Sequence, residues 1–267
     1  MDIDAIITST VSVIIFLAES FVLFFIGKLV YQLLHRNINV RDELVEKDNL
    51  AFAISHTGYF IGLTLAIGGA LIGPSEGIVA DLLAVGLYGM LAIVLLNISL
   101  FINDKIILSK FSTRDEIVRD QNAGTGAVEA ASGIATGLIV MGSVYGEGGG
   151  LVTAIAFWLI GQALLIASAK IYNALLPYNL HEHLEKDNVA VGVGFAGALI
   201  AIANLIRHAI MHDFVSWTDS LLDVSLDFAI GILFLPLARF LADKILLPGR
   251  NLTDELVNQE KPNVGAG

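Results

Sequence analysis

The sequence contains no cysteine, which removes disulfides, thiolate nucleophiles and cysteine-ligated metals from consideration. Proline is scarce, 5 in 267 residues, so long helices can run uninterrupted. Charge is scarce as well: charged residues make up 15% of the chain, where soluble domains carry about 25%. Cations are the rarer sign, 15 Lys and Arg against 26 Asp and Glu, and the net charge of −11 argues against a nucleic-acid partner. No P-loop, GxSxG, HExxH or protease-like pair of aspartates within a span occurs. The glycine-bearing "VGVGFAG" (Val191–Gly197) follows no strand and lies in an apolar run, so it reads as helix packing. No enzyme motif and no cofactor are expected.

What is abundant is apolar surface. Hydrophobic residues make up 55% of the chain and the mean hydropathy is +0.76, more than a soluble fold of this size can enclose. The solvent for this surface is lipid. About 20 apolar residues cross a bilayer as helix, and seven runs qualify: Ile6–Leu34, Leu50–Ile72, Ile78–Ile102, Gly124–Val144, Leu151–Leu176, Val189–Ile210 and Leu221–Leu247. The fourth is the weakest, because Glu129 interrupts it and small residues dominate. Asp2 and Asp4 precede the first run, which reads as a retained span rather than a cleaved signal. The expected fold is all-α: a polytopic bundle of about seven transmembrane helices.

Lysine and arginine placement sets the orientation. Fourteen of the 15 cations lie in, or in the helix ends leading to, the connections after spans one, three and five and the C-terminal tail. The opposite connections, "GPSEG", "YGEGGG" and "MHDFVSWTDS", contain none, and Arg207 alone lies near them. The expectation is an N-terminus outside and a cytoplasmic C-terminus.

The cytoplasmic segments repeat. "RDELVEKDN" (Arg41–Asn49), "RDEIVRDQN" (Arg114–Asn122) and "HEHLEKDN" (His181–Asn188) share an acidic–aliphatic core ending in Asn, and "TDELVNQEK" (Thr253–Lys261) begins a fourth copy. Each is followed by a glycine-bearing run, except the last, after which one ascending helix is expected to be missing. Entry into the linkers repeats too, "NDKIIL" (Asn103–Leu108) matching "ADKILL" (Ala242–Leu247). The unit is a descending helix, a linker and an ascending helix, always in the same sense, hence parallel two-helix repeats. Residues 1–123 form the first membrane repeat with the linker into span four. Residues 124–250 hold spans four to seven, of which five to seven repeat one to three, and 251–267 form a cytoplasmic tail with a truncated linker motif. Asp48–Asn49, Gln121–Asn122 and Asp187–Asn188 precede ascending helices and read as helix caps. The "DELV" segments read as short amphipathic turns on the membrane surface.

Paired membrane repeats with "DE(L/I)V…(D/Q)N" linkers and glycine-rich ascending helices resemble the YjfL-like family of bacterial inner-membrane proteins, which carries a repeated domain of unknown function. The resemblance covers nearly the whole chain. It implies a bacterial cytoplasmic membrane and a link to envelope or stress-response proteins, and it supplies no reaction and no site residues.

Ionisable groups at membrane depth are functional candidates by default. Seven residues past each linker Asn stand His56, Glu129 and Phe195. Glu129 sits among small residues, and Gly58/Gly62 and Gly133/Gly137 have GxxxG spacing. A carboxyl there is a proton carrier, or else interhelical glue paired with His56, Lys28 or Lys170. Glu19 lies midway along span one, Gln162 at the matching place in span five, and Asn97 in span three, so all three join the candidate ion path. Asp219, Asp223 and Asp227 form one helix stripe near His208, His212 and Asp213. An outer acidic vestibule neutralised by Arg207 and the histidines is the reading preferred over a metal site built on His208, His212 and Asp213. His181 and His183 are expected to be solvent-exposed.

Two functions follow. One is a proton- or monovalent-cation-conducting channel or transporter using buried carboxylates. The other is a non-catalytic scaffold that binds a cytoplasmic or envelope protein, with its buried charges paired. The small-residue seams suit a homo-oligomer in either case.

Overall fold

The computed structural model describes residues 3–73, 75–110, 112–145, 148–241, 244–245 and 249–267, with the backbone alone for 3–8, 235, 238 and 239. The far end of the expected seventh span, most of the Ala242–Leu247 stretch and the side chain of Arg239 lie outside the described residues. Among the described residues there are eight α-helices: α1 (Ile3–Leu34), α2 (Leu50–Ala70), α3 (Ile78–Ile106), α4 (Ala123–Val144), α5 (Leu151–Leu175), the short α6 (Leu180–Glu185), α7 (Val189–Ile210) and α8 (Trp217–Leu241). No strand occurs among the described residues.

Six of these are long and apolar enough to cross a membrane: α1 to α5 and α7. In α8, Asp219, Asp223 and Asp227 lie exposed in the first half and Pro236 interrupts the second.

The linkers turn tightly and alike. Asp42–Glu46, Asp115–Arg119 and Asp254–Asn258 each form one π-helical turn, and the third linker uses α6 instead. Immediately before the capping Asn, Asp48, Gln121 and Asp187 take left-handed backbone with φ of 48°, 55° and 57°. A non-glycine residue there is uncommon, and Asp tolerates it better than Gln. The Asn that follows is extended, and its Oδ1 accepts the backbone N–H three residues on: Asn49 from Phe52 (3.0 Å), Asn122 from Thr125 (2.9 Å) and Asn188 from Val191 (3.1 Å). Capping therefore falls to the Asn of each pair. Asp48, Gln121 and Asp187 supply the turn rather than the cap.

Packing follows the repeat. The ascending helices α2, α4 and α7 stand side by side, with α4 in the middle, and α3 and α5 pack against them. Far from being marginal, the fourth span is the most enclosed of the six. Its small residues explain this. A Cβ on Gly62 would lie 2.1 Å from the Gly133 carbonyl oxygen, and one on Gly137 would lie 2.3 Å from that of Gly62. The two GxxxG seams expected from spacing thus pack on one another, backbone against backbone. Lipid offers no hydrophobic force between helices, so this close van der Waals contact holds the pair together. α1 is the most exposed of the six, and Val13, Ile14, Phe21 and Phe25 lie on its surface.

The repeat extends further than its sequence motif. Two residues past one Asn cap meets four residues past the next. A Cβ on Gly126 would lie 2.5 Å from the Ala51 oxygen, one on Gly192 2.5 Å from that of Gly124, and one on Gly267 2.3 Å from that of Ala190. Asn263 is therefore the cap-position Asn of the fourth linker. Its N–H donates to Glu255 O (2.9 Å), as Asn49 does to Glu43 O (2.9 Å) and Asn122 to Glu116 O (2.8 Å).

Candidate functional site: a carboxyl-bearing cavity on the linker side

Helices α1 to α4 and the first two linkers enclose a cavity of about 900 Å³. Glu129 lies on its wall, about two helical turns past the Asn122 cap. Gly133, one turn further, also lines it. Asn97 contributes from α3, where its Nδ2 donates to Ile93 O (2.8 Å) and Tyr59 Oη (3.3 Å). Tyr59 Oη in turn donates to Gly27 O across α1 and α2 (3.1 Å). Tyr31 adds a second aromatic wall, 4.5 Å from Tyr59 between ring centroids.

Glu129 is half-buried and has no hydrogen bond or ion pair among the described residues. It pairs with neither His56, Lys28 nor Lys170, so it is not interhelical glue. Nearer the mouth, Asp104 lines the cavity and binds Lys105 (3.0 Å), while Arg114 donates to Asn37 O (3.2 Å).

The other expected path residues go elsewhere. His56 sits in an aromatic cluster, its ring 4.8 to 5.3 Å from Phe60, Tyr31 and Phe52, and its buried Nδ1 has no hydrogen-bond partner. Phe195, at the same register, is buried against Tyr172. Glu19 lies against α3, where a Cβ on Gly86 would meet its Oε1 at 3.3 Å, and its Oε2 is buried without a partner. Gln162 Nε2 donates to Asn103 Oδ1, and Asn103 Nδ2 donates to Ser132 Oγ (3.0 Å) and Thr136 Oγ1 (3.2 Å), all buried. Glu19 and Gln162 thus form no common site. Asn103, which periodicity did not single out, is the hub of the α3–α4–α5 contact.

The acidic stripe is built differently from a neutralised vestibule. Asp219 bonds Ser216 Oγ (2.7 Å) at the start of α8, and Asp223 and Asp227 are exposed. Arg207 bonds Asn204 Oδ1 (3.1 Å) and Met211 Sδ (2.9 Å) rather than the aspartates. His208 is exposed, and His212 packs edge-on to Phe157 at 5.7 Å. Among the described residues no three His, Asp or Glu side chains converge to hold a metal. His212 lines a separate void of about 20 Å³ at the opposite end, with Tyr88 and Tyr145, room for about one water. His181 is buried rather than exposed, with Nε2 3.0 Å from Ile107 O.

The linkers are electrostatically set. Burial of Glu43 pushes its carboxyl up, but hydrogen bonds from Lys47 (2.5 Å) and Asn49 (2.9 Å), with the Lys47 charge, outweigh it and hold the group below the usual carboxylate range. Burial raises Asp187 instead.

The family described as Domain of Unknown Function (DUF350) matches the chain twice, over residues 5–144 and 148–267. The chain belongs to this family. The two DUF350 copies bear out the repeat read from the linkers, and the second runs through the fourth linker to residue 267. A relative, the UPF0719 transmembrane protein of Aquifex aeolicus (strain VF5), is 24% identical over 186 residues, covering 68% of this chain and 67% of its own. No solved structure matches. The DUF350 chain is thus a multi-pass helical membrane protein. Both linkers of the first copy make the same π-helical turn, and the cavity belongs to that copy.

Proposed function

We propose that the protein carries protons or monovalent cations across a bacterial cytoplasmic membrane, with Glu129 as the carrier group. The observation behind this reading is a carboxyl without a partner, on a membrane helix, facing a cavity rather than lipid. In this picture the linkers and C-terminus are cytoplasmic, the N-terminus is outside, α8 is a seventh crossing, and the protein is not an enzyme. Ions enter from the linker side. The void near His212 is separate from the cavity, so passage needs a second state in which Glu129 communicates with the α8 side.

The test is flux into liposomes of purified protein under an imposed potential. Proton or monovalent-cation flux above empty liposomes is expected. Glu129→Gln lowers it by tenfold or more, by roughly the effect of losing a charged partner, whereas Glu19→Gln leaves it unchanged. Absence of flux across pH and both gradient directions overturns the reading.

The scaffold reading rests on a different observation. The side chains of Asn49, Asn122 and Asn188 each bond the following linker, giving a continuous, fixed face on which a partner protein, or a second copy of this chain, could dock.

A further inference from the structure

The cavity is far larger than a bare ion requires. At about 900 Å³ it falls in the range that encloses organic ligands, and its polarity changes in a definite order from the inside outward.

Toward the inner end Glu129, which has no partner among the described residues, shares the cavity wall with the phenol ring of Tyr59 and the amide of Asn97. This end favours an ammonium group, which a carboxylate holds by charge-assisted hydrogen bonds and aromatic faces attract. On the linker wall Thr113 is 6% exposed, and its buried Oγ1 has no hydrogen-bond partner. A buried hydroxyl left unmatched is costly, so an unpaired one on a cavity wall marks a place for a ligand's polar atom. At the mouth Lys105 is matched by Asp104, while Arg114 is exposed and spends one nitrogen on Asn37 O. Its guanidinium suits a phosphate.

The side of the cavity is apolar and open. Leu34 on α1 and Ile98 and Phe101 on α3 line it and are also 61%, 42% and 67% exposed. In a membrane those exposed faces meet acyl chains. Carboxyl inside, guanidinium at the mouth and an apolar lateral gap complement three successive parts of one molecule.

We propose that the cavity binds an aminophospholipid-type amphiphile: its ammonium meets Glu129, its phosphate lies by Arg114, and its acyl chains leave between α1 and α3. The inference rests on the reading that this cavity is the functional site. It does not require ion flux.

Native mass spectrometry of the purified, delipidated full chain tests it, because no gradient is involved. The probes are phosphatidylethanolamine, phosphatidylglycerol, which has the phosphate without the amine, and phosphoethanolamine, which has the headgroup without tails. Phosphatidylethanolamine is expected to be retained at least tenfold better than either. Glu129→Gln should erase its advantage over phosphatidylglycerol, and Thr113→Val should weaken it severalfold; unchanged melting temperatures serve as the folding control. Arg114→Ala should weaken both phospholipids together.

Equal retention of the two phospholipids, or a preference that survives in both Glu129→Gln and Thr113→Val, overturns the proposal. Phosphoethanolamine binding as tightly as the lipid overturns it too, by making the source soluble. Flux that depends on Glu129 without lipid selectivity would sink this inference and leave the transport reading standing; lipid selectivity without flux would do the reverse.

Discussion

The side-chain amide of Asn49 donates to the backbone carbonyl of Ile117 at 2.9 Å, 68 residues further along the chain. Ile117 sits in the next linker turn, so the residue that caps one membrane helix also fixes the position of the following repeat. Asn122 does the same to Leu184 O (2.6 Å) and Asn188 to Leu256 O (2.9 Å). Each Asn caps its own helix with its oxygen and reaches the next linker with its nitrogen, which in Asn49 and Asn122 also donates to the Glu six residues earlier.

That division of labour separates two substitutions at Asn122. Asn122→Ala removes the cap and both amide donations, and should cost about 2 kcal/mol or more. An ordinary cap accepts Asp as readily as Asn. Here Asn122→Asp loses both amide donations and brings a second carboxylate to the position now 2.9 Å from Glu116, so it should be at least as damaging as Ala. Thermal unfolding in detergent decides; an Asp variant of native stability would refute the inter-linker role.

Glycine substitutions should divide sharply along α2. Gly62→Ala drives a methyl into the Gly133 carbonyl, and relief requires the two helices to separate, for a loss of about 3 kcal/mol. Gly68→Ala meets nothing within 4 Å and should be neutral or stabilising by up to about 1 kcal/mol through helix propensity. Equal effects in melting experiments would contradict the seam.

Acid should weaken the first linker in a way traceable to Glu43. Its folded-state affinity for protons is lower than in the unfolded chain, so it contributes stability above the ordinary carboxylate range, and that contribution is lost as pH falls through the folded value. Comparing wild type with Glu43→Gln from pH 7 to pH 3 should show a wild-type advantage near neutrality that fades in acid. An advantage that grows in acid would reverse the sign.

At Asn103 one substitution unsettles three helices. Asn103→Ala leaves Ser132, Thr136 and Gln162 without this shared partner inside the bundle, which should cost about 2–4 kcal/mol. Asn103→Leu, which fills the space but mends no hydrogen bond, should recover part of that. Full recovery by Leu in unfolding measurements would mean that packing, not polarity, holds α3, α4 and α5 together.

Much of this molecule is legible in its sequence, where the rules act locally. Apolar length marks the spans, Asn before each ascending helix marks the caps, and glycine spacing marks the α2–α4 seam. The fourth linker was legible only to its DELV turn. Two extra residues separate Glu255 from Asn263 compared with Glu43 from Asn49, and it took the contact of Gly267 on Ala190 to show that the register resumes.

The site divides in the same way. Counting from each Asn placed His56, Glu129 and Phe195 at one depth, because the rise along a helix is fixed. What each side chain meets at that depth depends on which helices stand beside it. His56 meets aromatic rings, Phe195 a tyrosine, and Glu129 a cavity, since α4 borders the space enclosed by α1, α2 and α3. Sequence alone determined the repeat, the caps and the close-packed seam, all properties of neighbours along the chain. Only the tertiary structure decided which unpaired carboxyl faces a cavity, because that depends on groups brought together from four helices.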